Sequence, residues 1–167
     1  MKKYILITGV AGFIASKIAE KFKNEKFNVI GIDDLSGGNK KNIPQGIRFI
    51  KGDLSHKKTL NSLPKNCYQI LHLAGQSSGE VSFDNPISDL KKNTLSTLNL
   101  IEYGIASKAK LFLYASSMSV YGKLSKKKAS EEDRCNPLSC YGVSKLASEK
   151  YLKIFSKKMP FLSLRMF

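Results

Sequence analysis

Arginine is nearly missing from this chain of 167 residues: Arg48, Arg134 and Arg165 are all it has among 28 basic side chains. Acidic residues are scarce as well, 13 in all, which leaves a formal charge of +15. Surfaces that read nucleic acid favour the guanidinium fork for bases and phosphates. Here the charge is lysine, scattered or in short clusters at Lys40-Lys41, Lys126-Lys127-Lys128 and Lys157-Lys158. That pattern reads as a solvated, lysine-biased surface. No nucleic-acid partner is expected, although the surplus would steer anionic nucleotides toward the protein. Cysteine is sparse too. Cys67, Cys135 and Cys140 form no metal-spaced pair and cannot all pair internally, so no metal site is expected and a reducing, cytoplasmic setting suits them. No apolar run approaches the roughly 20 residues of a membrane span, and no membrane partner is expected. Met1-Lys2-Lys3 ahead of an apolar stretch has the outline of a signal peptide. Strand and helix periodicity carries on through that stretch, so no secretion signal is expected. A hydrophobic fraction of 42% is too high for disorder, and the length suits a single domain over 1–167.

What is present begins with a glycine loop. Tyr4-Ile5-Leu6-Ile7 is a short apolar run of the kind that forms a buried parallel strand. Ile14, Ile18 and Phe22, with Ala15 and Ala19 beside them, then recur at helical spacing. Between them lies Thr8-Gly9-Val10-Ala11-Gly12. Gly9 lets the chain turn sharply, Gly12 lets backbone approach a pyrophosphate, and the N–H groups of Phe13 and Ile14 at the open helix end can bind that anion. Ala15 replaces a third glycine where helix packs on strand. Asp33 closes a second strand, Asn28-Val29-Ile30-Gly31-Ile32, about 20 residues past the glycines, as a dinucleotide fingerprint requires. A carboxylate there accepts hydrogen bonds from the adenosine ribose and repels a 2'-phosphate, which favours NAD over NADP. Asp33 and Asp34 merely opening the polar loop Leu35-Ser36-Gly37-Gly38-Asn39 is the plainer alternative.

The alternation continues. Ile47-Arg48-Phe49-Ile50, Gln69-Ile70-Leu71-His72-Leu73, Lys110-Leu111-Phe112-Leu113-Tyr114 and Phe161-Leu162-Ser163-Leu164 read as strands three to six. Pro86 begins a helix whose residues Ile87, Leu90, Leu98, Ile101 and Ile105 are expected to keep one apolar face, and a later helix is expected over 141–155. Such alternation implies an α/β fold, a doubly wound parallel sheet of Rossmann type in the order 3-2-1-4-5-6, with ligands at the carboxyl ends of the strands.

Tyr141 and Lys145 lie four residues apart in Tyr141-Gly142-Val143-Ser144-Lys145, on one helix face downstream of the glycine loop. Together with Gly31-Ile32-Asp33-Asp34-Leu35-Ser36, Gly52-Asp53-Leu54, His72-Leu73-Ala74-Gly75-Gln76, Asn93, Ser116-Ser117-Met118-Ser119-Val120-Tyr121-Gly122 and Asn136-Pro137-Leu138-Ser139-Cys140, they give the chain a specific likeness. It resembles the N-terminal part of an extended short-chain dehydrogenase/reductase of the nucleotide-sugar epimerase/dehydratase group, closest in style to UDP-glucose 4-epimerases. The resemblance implies NAD as cofactor and a nucleotide sugar as substrate. It implies that Asp53 and Leu54 meet the adenine, that Ala74, Gly75 and Gln76 line the phosphate and nicotinamide-ribose side, and that Asn93 braces the site. Asp34, beside Asp33 in its motif, is counted with the cofactor-binding residues. His72, inside an apolar strand, reads as a packed residue. A homodimer through the helices over 86–107 and 141–155 is implied as well.

By the same resemblance Ser117, Tyr141 and Lys145 carry the chemistry. A free tyrosine ionises near pH 10, about three units too high for a base at neutral pH, so it needs a cation beside it. Lys145 and the nicotinamide ring would supply one. Lys145 would also hold the nicotinamide ribose, and Ser117 would share the reacting hydroxyl. Met118 and Ser119 stand where dehydratases of the group carry an Asp-Glu pair, which argues against loss of water as the reaction. Relatives continue past the position of Phe167 into a domain that grips the nucleotide sugar, so these residues are expected to lack most of the substrate site. A reductase or decarboxylase of the same family, and a non-catalytic NAD-binding module, remain open.

Overall fold

The computed structural model describes residues 3–124 and 128–166; Met1-Lys2, Ser125 with the Lys126-Lys127 part of one lysine cluster, and Phe167 lie outside the described residues. β1 (Tyr4–Thr8) and β2 (Val29–Asp33) are buried at every position, because both sheet faces are covered there. Alternate side chains divide between two cores. Tyr4, Leu6, Ile30 and Ile32 join Phe112, Tyr114, Leu100 and Leu152 on one face. Ile5, Ile7 and Val29 pack against Ala15 and Ala19 of α1 (Phe13–Asn24) on the other.

The remaining strands are β3 (Arg48–Lys51), β4 (Cys67–His72), β5 (Leu111–Ser117) and β6 (Phe161–Met166). All neighbours pair parallel in the order β3-β2-β1-β4-β5-β6, the expected doubly wound arrangement. The order reverses between β1 and β4, which opens a crevice at the strands' carboxyl ends. β5 runs three residues past the expected strand, because Ala115, Ser116 and Ser117 find partners in Leu164, Arg165 and Met166.

Short helices α2 (Lys57–Asn61) and α3 (Gly79–Asp84) were not legible in the periodicity. The helix after Pro86 departs from expectation. It is broken into α4 (Pro86–Leu90), a π-helical turn (Lys91–Leu95) and α5 (Ser96–Ala106). The extra residue in a π turn rotates the downstream helix by about 100° relative to the upstream one. The expected apolar stripe is therefore split: Ile101 enters the core, whereas Ile87 and Leu90 are 63% and 52% exposed. The stretch along and behind the crevice wall is polar instead, with Asp89, Asn93, Thr94, Ser96 and Thr97 all buried. α6 (Cys140–Ile154) starts one residue before the expected helix, capped by Ser139, whose hydroxyl accepts the Gly142 N–H at 3.0 Å.

Candidate active site

The glycine loop is held from both sides. Gly9 donates to Ile32 O at 2.8 Å and turns at φ 70°, and a Cβ there would meet the backbone nitrogen of Ala74 at 2.8 Å. Only glycine fits. Gly12 stands at the start of α1 with no side-chain cap, so the first-turn N–H groups, those of Phe13 and Ile14 among them, are free to face a ligand. Ala11 N donates to Asp33 Oδ2 at 2.9 Å, tying loop to β2.

Along the crevice runs a cavity of about 630 Å³. Gly9, Gly12, Phe13 and Ile14 line its middle, Asp33, Asp34, Asp53 and Leu54 one end, and Ala74, Gly75, Gln76, Tyr141 and Lys145 the other. Asp53 Oδ1 accepts the Ser55 N–H at 2.8 Å, which fixes the turn after β3. Gln76 closes its own turn, donating to Ser78 O at 2.7 Å and accepting from Ser78 N at 3.0 Å. Two of the residues singled out in the sequence stand behind the wall rather than on it. Asn93 is buried, its Nδ2 donating to Asp89 Oδ1 at 2.9 Å and Ser144 Oγ at 3.2 Å. Ser117 ends β5, and its hydroxyl accepts the Ser119 N–H at 3.1 Å, so Met118 and Ser119 are committed to a 3-10 turn.

Lys145 is buried under Tyr141. Its Nζ donates to Ala115 O at 2.9 Å and lies 5.0 Å from the Tyr114 ring centre and 5.7 Å from that of Tyr141. Burial pulls the ammonium down to about 8, against the opposing pull of Asp89. Burial pushes the Tyr141 phenol above its usual value; the Ser117 hydroxyl works against that shift and the Asp89 carboxylate adds to it. A positive charge arriving beside Tyr141 would favour its phenolate. His72 is fully buried, bonded to Thr8 Oγ1 at 2.8 Å and Thr97 Oγ1 at 3.0 Å, and burial drops it to about 3. It is neutral, and Thr8 relays its position to the Leu73 and Ala74 N–H groups at the cavity wall.

The donor set fits the dinucleotide that the resemblance implies: free helix N–H groups for a pyrophosphate, carboxylates at one end for ribose hydroxyls, and a cation with a phenol at the other. Sequence reasoning missed Lys92, Ser36 and Ser116 on the cavity wall and Asp89 behind it. Asp89 had a signal, since it precedes the singled-out Asn93 by one helical turn. Lys92 had none without the π turn. Among the described residues no group of three His, Cys, Asp or Glu could hold a metal, and no helix is long and apolar enough to cross a membrane.

A model of the NAD dependent epimerase/dehydratase family matches residues 5–167. UDP-glucose 4-epimerase of Mycolicibacterium smegmatis is 32% identical over 157 residues, covering 90% of this chain and 50% of that protein. UDP-glucuronic acid decarboxylase 1 of Xenopus tropicalis is 32% identical over 162 residues, 94% of this chain and 38% of the other. The crystal structure of Thermus thermophilus UDP-glucose 4-epimerase in complex with NAD superposes with a TM-score of 0.89 at 32% identity, covering 97% of this chain and 54% of that one. The chain thus spans about half the length of such relatives or less.

Proposed function

The chain belongs to the NAD-dependent epimerase/dehydratase family, and from that membership we propose that it is the cofactor-binding and catalytic half of a nucleotide-sugar 4-epimerase. The observation that carries the reading is one continuous cavity with the uncapped start of α1 in its middle and Lys145 beneath Tyr141 at its end. Gly9, Gly12 and the N–H groups of Phe13 and Ile14 hold the pyrophosphate. Asp33 and Asp34 take the adenosine ribose, Asp53 and Leu54 the adenine, and Ala74, Gly75, Gln76 and Lys145 the nicotinamide ribose side. Bound NAD supplies a hydride acceptor for the carbon that bears the reacting sugar hydroxyl. Tyr141 accepts the proton of that hydroxyl, Ser117 shares its hydrogen bond, and Lys145 together with the bound nicotinamide ring would favour the Tyr141 phenolate against the burial that pushes the phenol up. Asn93 keeps α4 and α6 in register through Asp89 and Ser144.

These residues build the dinucleotide site, and most contacts to the nucleotide sugar lie outside them. Remote substrate contacts orient the reacting hydroxyl, so losing them costs rate as well as affinity. The 167 residues alone should bind NAD and leave UDP-glucose unconverted. Calorimetric titration with NAD, followed by separation of sugar products after incubation with UDP-glucose, tests both parts; no NAD binding refutes the site and UDP-galactose formation refutes the division of labour. In a longer form carrying these residues, Tyr141→Phe should cut turnover by about 10² to 10⁴ while NAD binding survives.

The decarboxylase relative favours a second reading with the same Ser117, Tyr141 and Lys145 apparatus. Product analysis with UDP-glucuronate separates the two. We also propose a homodimer. Ile87 and Leu90 of α4 and Val143 and Ile154 of α6 expose apolar surface on two helices that pack together.

A further inference from the structure

Across the adenosine end of the cavity reaches a cation to which the cofactor assignment gives no role. Lys92 leaves the π-helical turn on one wall and meets the loop after β2 on the other, donating to Ser36 Oγ at 2.6 Å and to Asp34 Oδ2 at 3.4 Å. Lys92 and Asp34 side chains are each 30% exposed, so this contact is partly shielded from water. Both carboxylates of this loop are already engaged. Asp33 accepts the Ala11 N–H at 2.9 Å on one oxygen and the Leu35 N–H at 2.8 Å on the other. Leu35 holds that N–H in place from the left-handed region, at φ 64°, a costly conformation for leucine. Asp34 Oδ1 accepts both the N–H and the hydroxyl of Ser36, at 2.8 and 2.7 Å. Burial works to raise the Asp34 carboxyl, but Ser36 and Lys92 outweigh it and hold the group below its usual value.

A ligand's ribose 2'-position at this end therefore meets a compensated acid, a hydroxyl and an ammonium rather than a bare pair of carboxylates. We infer that Lys92 is a specificity-determining residue for the dinucleotide, offsetting Asp34 beside Asp33 so that a 2'-phosphate is tolerated and the preference for NAD over NADP stays modest. The inference rests on the dinucleotide reading of the cavity. A phosphate monoester carries nearly two negative charges, and the ammonium at its edge acts as a point-charge partner. Removing the ammonium leaves Asp34 uncompensated. NADP then loses an attraction and gains a repulsion, whereas NAD, uncharged at that position, loses little.

The test is calorimetric titration of the chain with NAD and with NADP, for wild type, Lys92→Met and Lys92→Arg. The ratio of the NADP to the NAD dissociation constant should rise about tenfold in Lys92→Met, the size expected of one partly shielded charge pair. It should stay near the wild-type ratio in Lys92→Arg, which keeps the charge. A ratio unchanged or lowered in Lys92→Met overturns the role of Lys92 while NAD binding stands. Wild-type protein that binds neither dinucleotide removes the reading of the cavity, and the inference with it.

Discussion

Replacing Arg165 by Met should destabilise the chain by about 3 kcal/mol. Arg165 projects from β6 and donates to Glu149 of α6 twice, Nε to Oε1 at 3.1 Å and Nη2 to Oε2 at 2.8 Å. Its Nη1 reaches the Tyr121 hydroxyl at 2.8 Å and Glu131 O at 3.3 Å, and the guanidinium lies over the Tyr121 ring, 4.8 Å from its centre. Glu149 Oε1 also accepts the Ser116 hydroxyl at 2.5 Å. One carboxylate thus fastens α6, β5 and β6 together, one turn past Lys145 and next to Ser117. Removing one partner of a buried pair costs about 3–5 kcal/mol, because the other charge is left without compensation. Arg165 and Glu149 side chains keep 20% and 10% exposure, which places the cost at the lower end, about 3 kcal/mol. With a urea dependence of about 2 kcal/mol per molar, the unfolding midpoint should fall by about 1.5 M. Urea titration followed by far-ultraviolet circular dichroism reads it directly. Glu149→Gln combined with Arg165→Met removes both charges and should recover about half of the loss, since most of it is the orphaned charge rather than the pair. A midpoint shift under about 0.3 M in Arg165→Met, or a double variant as unstable as the sum of the singles, would refute this account.

Acid should weaken the fold through His72. Its folded value of about 3 lies below the ordinary 6.5, so the unfolded state takes up the extra proton between them. This contribution is intact above pH 6.5 and is lost as pH falls, by up to about 1.4 kcal/mol per unit, and His72→Gln should flatten that slope in urea titrations from pH 7 to 4. Gly9→Ala puts a Cβ 2.8 Å from the Ala74 nitrogen at a φ of 70° and should cost at least about 2 kcal/mol with loss of NAD binding, measured by melting and calorimetry. Ile87→Lys places charge on the apolar face of α4 and should shift light scattering from dimer to monomer; wild-type protein that scatters as a monomer would remove the proposed interface.

What could be read from the residues depended on how far apart the cooperating groups lie. Strand β1, the glycine loop, α1 and Asp33 fall within 33 residues, where spacing alone carries the geometry, and the structure places Asp33 two hydrogen bonds from that loop and its own. Strand order followed from the strict alternation of strands and helices that a doubly wound sheet requires. Tyr141 and Lys145 share a helix face at one-turn spacing, and the cation lies beneath the ring. The failure came at Lys91–Leu95, where a π turn breaks the 3.6-residue period on which every helical reading rests. Side-chain hydroxyls accompany it. Thr97 Oγ1 donates to Asn93 O at 2.6 Å and Ser96 Oγ to Lys92 O at 2.5 Å, so side chains compete for the carbonyls of the ladder. The wider turn aims Lys92 across the cavity and sets Asn93 and Asp89 behind it. The departure from regular helix thus lies where the cavity wall needs polar groups that an apolar stripe could not supply. A single extra residue per turn separates a core helix from one that equips a ligand site.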